Sequence, residues 1–277
     1  MEKIMVTMLG RLDVEPVQVK EFNCCGYPLK NINLDAYLLS SARNLAIAEE
    51  KGLDIMTFCS CCYGSLKQVN HLMQTDETIR TRINRTLSEE GLAYGGTISV
   101  SHCLDFCYNH IGVERLKSAV THRLDGLKVA AHIGCQMLRP RKIVGFDDPL
   151  TPTIFDQLVR LTGAESVSYP NHLSCCGAPV CGVDTELSMD LAQRKINAAA
   201  RAGADILCTV CANCQVQFDK TQKIITLQRE PSHTIPSISF SQLFGIALGI
   251  DLAFMGFDKH EFNAAHVFDA GGCSETP

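Results

Sequence analysis

From Asp35 to Lys51 apolar residues recur at helical spacing, at Leu38, Leu39, Ala42, Leu45 and Ala46, and the pattern stops at Gly52. The run Ile55, Met56, Thr57, Phe58 then turns apolar and β-branched, which predicts a strand fed by that helix. The same order returns later as a helix over Leu187 to Ala202, Gly203, and a strand over Ile206 to Val210. Leu127 to Ile133 reads as a further buried strand ending at Gly134 and Cys135, and Thr153 to Leu161 as another helix. Strands alternating with helices predict an α/β fold with mostly parallel sheets and flanking helices. Such sheets bind ligands beyond the carboxyl ends of their strands, and here those ends carry cysteines.

The recurrence is an internal repeat. Cys24, Cys25, Gly26, Tyr27, Pro28 returns as Cys175, Cys176, Gly177, Ala178, Pro179, and Gly52 to Ile55 returns as Gly203 to Ile206, both at an offset of 151 positions. The pair Cys59 and Cys62 returns as Cys211 and Cys214 at an offset of 152. Each half closes alike, with Ile98 to Ser101 and Ile238 to Ser241 leading into a helix-like segment. Two homologous domains are expected, 1–120 and 121–277. The counterpart of Cys135 would fall ahead of Met1, so the first domain is expected to lack its opening strand and the cysteine at its end, through a late or truncated start.

Composition narrows the chemistry. The 277 residues are 46% hydrophobic and 20% charged, as in a globular protein, and the net charge of −5 argues against a nucleic-acid partner. Glu2, Gly10, Arg11 and Asp13 interrupt any export-signal pattern. The apolar stretch Ile238 to Phe257 contains Ser239, Ser241, Gln242 and Asp251 without basic flanks, so it reads as a buried helix and not a membrane span. A cytoplasmic location is expected, where clustered cysteines bind metal or react more often than they form disulfides. Fifteen cysteines are present. Five of them, Cys135, Cys175, Cys176, Cys211 and Cys214, converge if three strand ends are neighbours. Five soft thiolates suit iron and sulfide; a zinc site takes four ligands, and dithiol chemistry leaves the adjacent pairs without a role. Iron–sulfur binding is favoured, with zinc and dithiol chemistry as the alternatives.

The pattern C-x39-C-C-G-x-P-x31-C-x-x-C is the CCG signature. With Gly134 before Cys135, the run Cys62, Tyr63, Gly64, Ser65, the run Gln217, Phe218, Asp219, and Ser241, Gln242, Leu243 before Ala247, Leu248, Gly249, the chain resembles the B subunit of heterodisulfide reductase over nearly its whole length. The resemblance implies two CCG domains, each holding one noncubane 4Fe-4S cluster on five cysteines. Carried onto this sequence, the ligands are Cys24, Cys25, Cys59 and Cys62 for the first cluster, and Cys135, Cys175, Cys176, Cys211 and Cys214 for the second. It further implies reduction of a disulfide of the CoM-S-S-CoB type to two thiols between the clusters, with no catalytic side chain beyond them. Electrons would come from the ferredoxin-like subunit of the same complex and, upstream, from its flavoprotein subunit. The alternative is an electron-transfer subunit similar to those of lactate- or glycolate-oxidising complexes; the ferredoxin-type C-x2-C-x2-C-x3-C segment those relatives add does not occur here.

The repeat also demotes residues. Cys103 and Cys107 fall opposite Leu243 and Ala247 and read as core thiols. Cys61 aligns with Asn213, Cys181 with Lys30, and Cys208 with the inserted position; Cys61 and Cys208 are candidates for contact with a cluster's surroundings. Cys273 reads as an exposed thiol in a Gly-rich tail. His132 either hydrogen-bonds a cluster sulfur or is a satisfied core histidine. Gly26, Gly134 and Gly177 are read as points of close backbone approach, and Pro28 and Pro179 as fixing the turns. Asp147 and Asp148 read as a solvated turn, and Arg139, Arg141 and Lys142 as either a local anion site or plain surface. No G-x-G-x-x-G or P-loop spacing occurs, so no nucleotide or flavin site is expected.

Overall fold

The computed structural model describes residues 1–229 and 233–270. They form two compact units: one comprises Val17–Phe106 and Gln136–Pro149, and the other Met1–Pro16, Cys107–Cys135 and the chain from Leu150 onward. Each unit contains one copy of the repeat. The chain opens with helix α1 (Glu2–Gly10), which belongs to the second-repeat unit.

In the first-repeat unit, helix α2 (Leu34–Glu50) starts where the Asn33 side chain accepts a hydrogen bond from Ala36 N at 3.0 Å. It ends before Gly52, whose φ of 65° suits glycine. Strand β1 (Ile55–Thr57) follows, then helix α3 (Ser60–Thr75), helix α4 (Glu77–Leu87) and strand β2 (Val100–His102). β1 and β2 form a two-stranded parallel sheet in which Thr57 pairs with His102.

The second-repeat unit holds strand β3 (Lys128–His132), helix α5 (Ile154–Leu161), strand β4 (Glu165–Ser166) and helix α6 (Thr185–Arg201). Strand β5 (Ile206–Thr209), helix α7 (Ala212–Val216), strand β6 (Ser237–Ser239) and helix α8 (Phe240–Ala247) complete it. Its sheet is parallel throughout, in the order β4-β3-β5-β6. α6 is 17 residues long, as is α2, and Asp184 caps it as Asn33 caps α2. The fold is therefore α/β and duplicated, as the alternating pattern predicts. β1 and β2 correspond to β5 and β6; β3 and β4 have no counterpart in the first sheet among the described residues. α1 packs on α8, burying Ile4, Met5, Met8 and Leu9.

The strand pairing corrects two alignments. Thr57 pairs with His102 as Thr209 pairs with Ser239, so Cys103 and Cys107 lie opposite Phe240 and Phe244, not Leu243 and Ala247. The error is three residues, close to one helical turn, so the same apolar face still overlaid. By the same alignment of the repeats Cys208, paired with Ile238, corresponds to Met56, paired with Ser101, and not to an inserted position. Cys103 and Cys107 are core residues, as expected, and Cys208 is a core residue too. The stretch read as one buried helix is a buried strand, β6, running into the buried helix α8. No helix among the described residues is long and apolar enough to cross a membrane.

At the β6–α8 junction Ser239 and Gln242 form a capping box: the Gln242 backbone N–H donates to the serine hydroxyl at 3.3 Å, and the serine N–H donates to Gln242 Oε1 at 2.9 Å. Ser239→Ala is expected to lower stability by about 1 kcal/mol, read from the urea midpoint, because it orphans a buried donor at a helix start.

Candidate functional site

Each adjacent cysteine pair sits in a turn pressed against the helix that follows it. Gly26 and Gly177 adopt φ of 79° and 94°, conformations that side-chain-bearing residues rarely enter. A Cβ on Gly26 would come within 3.0 Å of Tyr37 O and 2.9 Å of Ser40 Cβ. A Cβ on Gly177 would come within 2.5 Å of Ser188 O. Tyr37 and Ser188 hold the same place on α2 and α6, so the two turns dock alike. Ser41 Oγ donates to Cys25 O at 2.5 Å, and Ser188 Oγ to Gly177 O at 3.0 Å. A one-turn 3-10 helix containing Pro28 or Pro179 fixes each exit.

The C-x-x-C pairs come from the other direction. Cys59 ends the β1 segment as the N-cap of α3, and Cys211 ends the β5 segment as the N-cap of α7. Cys62 and Cys214 follow within the first helical turn. A helix N-terminus presents free N–H groups and a partial positive charge, which favours thiolates.

These two sources of sulfur meet. In the first-repeat unit the thiols of Cys62 and Cys24 are close enough to that of Cys25 to perturb it, and Cys59 perturbs Cys62, so the four thiols form one interacting set. In the second-repeat unit the chain of contacts runs Cys135, Cys175, Cys176, Cys214, Cys211, with Cys176 and Cys214 sulfurs 3.4 Å apart. Cys135 enters from the end of β3, beyond Gly134 at φ 78°. All nine cysteines singled out by the repeat thus lie in one set or the other.

Crowding separates the protonation states. Hydrogen bonds from Cys135 and Cys176 hold the Cys175 thiol far below its ordinary range, and Gly177 N donates to its sulfur at 3.4 Å. The same contacts push Cys135 and Cys176 up, and Cys176 and Cys211 push Cys214 well up. In the first set Cys62 lowers Cys25, and Cys25 and Cys59 raise Cys62. Five thiols that perturb one another cannot all become thiolates unless a multiply charged cation neutralises them.

His132 supplies an independent test of fit. It is 1% exposed, and neither ring nitrogen has a hydrogen-bond partner. A ring nitrogen lies within 4.8 Å of the Cys176 and Cys214 sulfurs, with the Phe218 ring edge-on at 5.0 Å. Burial, reinforced by Lys195, drops its pKa to about 3, so it is neutral. An unpartnered ring N–H beside soft sulfur donors fits a bound iron–sulfur group that offers sulfur acceptors.

The family of proteins sharing the cysteine-rich CCG domain matches residues 1–67 and 129–219. This chain belongs to the CCG family. Over 94% of its length it is 35% identical to a protein of Methanosarcina acetivorans, the B subunit of the ferredoxin/F420H2-dependent CoB-CoM heterodisulfide reductase, of which it covers 87%. It is 32% identical, over 92% of its length and 89% of the relative's, to the 8-methylmenaquinol:fumarate reductase membrane anchor subunit of Wolinella succinogenes. A hypothetical protein from Helicobacter pylori shares the fold at a TM-score of 0.75 and 15% identity; the alignment covers 94% of this chain and 48% of that one. The CCG motif, which gives the family its name, coincides with the two glycine turns.

The other candidates of this CCG protein separate cleanly. Cys61 is buried, with its sulfur within 4.8 Å of that of Cys59. Cys208 lies in β5 and burial raises its pKa, which marks a core thiol. Cys181 is exposed, and Cys273 lies outside the described residues. Arg141 is exposed and 3.7 Å from Asp148, and Asp147 accepts from Asp148 N at 2.7 Å; both observations describe a surface turn. Two further residues take part whose roles no local sequence signal reveals. Gln217 ties the C-x-x-C helix to α6 through Ser188 Oγ at 2.9 Å, and buried Lys195 donates to the backbone of the turn that precedes Cys175.

Gly177→Ala is expected to destabilise the chain by about 2 kcal/mol or more, combining a left-handed backbone with a clash against a carbonyl. Gly182→Ala, where nothing lies within 4 Å, is expected to stay within about 0.5 kcal/mol of the parent. Urea unfolding of both variants checks the contrast.

Proposed function

We propose that this chain is the disulfide-reducing B subunit of a heterodisulfide-reductase-like complex, acting at two iron–sulfur sites. The observation that carries the reading is the same thiol arrangement built twice, by equivalent turns and helix ends. Reducing RS–SR′ to RSH and R′SH takes two electrons and two protons. A cluster supplies one electron at a time and an iron that can accept a thiolate sulfur, so a paired set of sites suits a two-electron cleavage. Cys135, Cys175, Cys176, Cys211 and Cys214 would hold one cluster, and their number suits a noncubane 4Fe-4S group. Cys24, Cys25, Cys59 and Cys62 would hold the other. Neutral His132 would donate one hydrogen bond to a cluster sulfur and keep solvent from the dry side of the second site.

The name of the Methanosarcina relative supports a disulfide of the CoM-S-S-CoB type as substrate and ferredoxin or F420H2 as the distant electron source. The ferredoxin-like and flavoprotein subunits of such a complex are the proposed partners, and the cytoplasm, where thiols stay reduced, the proposed location. A second reading is supported by the Wolinella relative: a CCG protein that passes electrons within a respiratory reductase without cleaving a disulfide. A lactate- or glycolate-oxidising complex is the other setting for such a relay.

Anaerobically reconstituted protein is expected to bind iron and sulfide and to reduce CoM-S-S-CoB with reduced methyl viologen as donor. Cys175→Ala and Cys176→Ala should each lose one cluster, keep the other, and lower turnover at least tenfold. Unchanged iron in both variants would sink the ligand assignment. Full clusters without turnover would favour the electron-relay reading.

A further inference from the structure

Lys195, on α6, is 1% exposed and is the one buried lysine or arginine among the described residues. Burial penalises a lysine's charge, so such a residue needs strong compensation. Its Nζ donates to Asn171 O at 2.7 Å and His172 O at 3.0 Å, and lies 5.7 Å from the centre of the Tyr169 ring. Asn171 O also accepts from Ser174 N at 2.9 Å and Ser174 Oγ at 2.7 Å. The ammonium thus closes the turn that leads directly into Cys175 and Cys176. Burial lowers its pKa to about 8, while the thiols of Cys176, Cys214, Cys175 and Cys135 act to raise it. Two carbonyl acceptors and an aromatic face are the surroundings an ammonium needs, and among the described residues no carboxylate forms an ion pair with it.

The repeat provides a built-in comparison. At the offset of 151, the residue on α2 matching Lys195 is Asn44. Asn44 is 4% exposed; its Nδ2 donates to Asn23 O and its Oδ1 accepts from Asn23 N, both at 2.9 Å. It clamps the residue before Cys24 as Lys195 clamps the turn before Cys175, but without a charge. The preceding position is arginine in both halves, Arg43 and Arg194. Arg43 is neutralised by Glu90 at 2.7 Å, and Lys30, half-buried near the first motif, donates to Gln68 Oε1 at 2.8 Å. Solvent reaches both of these cations and screens their charge.

We propose that Lys195 makes the two sites electronically unequal, holding the second-site cluster at a higher reduction potential than the first. This rests on the reading that both thiol sets bind iron–sulfur clusters. Reduction adds negative charge to a thiolate-ligated group, and a fixed cation in a low-dielectric setting stabilises the reduced form more than the oxidised one. An electron arriving singly then settles on the second site first. Lys195 is a positioning residue in this role: it acts through the cluster's surroundings and touches no reacting atom.

The test is an anaerobic dithionite titration of the reconstituted full chain, followed by electron paramagnetic resonance, with iron and sulfide assayed in every sample. Cys176→Ala and Cys25→Ala assign the two signals by removing one cluster each. The parent should show two midpoints, the second-site one higher; equal midpoints, or the reverse order, overturn the proposal. In Lys195→Gln the ratio of reduced to oxidised second-site cluster at the parent midpoint should fall about tenfold, about 59 mV for a one-electron step, with the first site unmoved. Lys195→Arg should stay near the parent. An unshifted potential in Lys195→Gln with full iron content overturns the proposal. Should Lys195→Gln fail to assemble the second cluster, the order of the two parent midpoints decides. A parent that binds no iron would instead refute the cluster reading itself.

Discussion

Several cysteine sulfurs held in mutual contact cannot all lose their protons unless positive charge is placed among them. That constraint shapes both units. The left-handed glycine turns let each adjacent cysteine pair approach the body of a helix, and the C-x-x-C pairs arrive at helix starts, whose partial positive charge favours thiolates. In the second-repeat unit the outcome is a chain of five thiols in which Cys175 is driven down and its neighbours are driven up. Such a set is a ready donor cage for a metal group with several charges, and the orphaned nitrogens of His132 face the same place.

The duplication gives two frames of one design with different furnishings. α2 and α6 share length, cap position and the carbonyl against which the glycine turn docks. What β3 contributes to the second unit, Cys135 at its end and His132 within it, has no counterpart in the first sheet among the described residues. Lys195 in place of Asn44 adds a buried charge to one frame alone. A pair of sites on equivalent frames but in different fields can handle two single electrons unequally, which a symmetric pair cannot.

Much of this was legible in the sequence. The long apolar periodicity of α2 and α6, the stops at Gly52 and Gly203, and the repeated cysteine words fix the elements and bring the nine thiols to strand and turn ends. The match of the closing strands slipped by three residues, because a shift of nearly one helical turn preserves the apolar face and only the sheet register resolves it. Lys195 is illegible for a different reason: a lysine on an amphipathic helix ordinarily faces solvent, and nothing local reveals that two carbonyls and the Tyr169 ring enclose it. For His132 the sequence allows two roles, and the structure places its unpaired ring nitrogens beside sulfur.

Iron-edge X-ray absorption on the anaerobically reconstituted full chain probes the thiol sets without relying on catalysis. A shell of sulfur alone around iron, with further iron atoms as second neighbours, is the expected result. A solitary metal ion with four sulfurs and no metal neighbour, or zinc in place of iron, would contradict a cluster held by these cysteines.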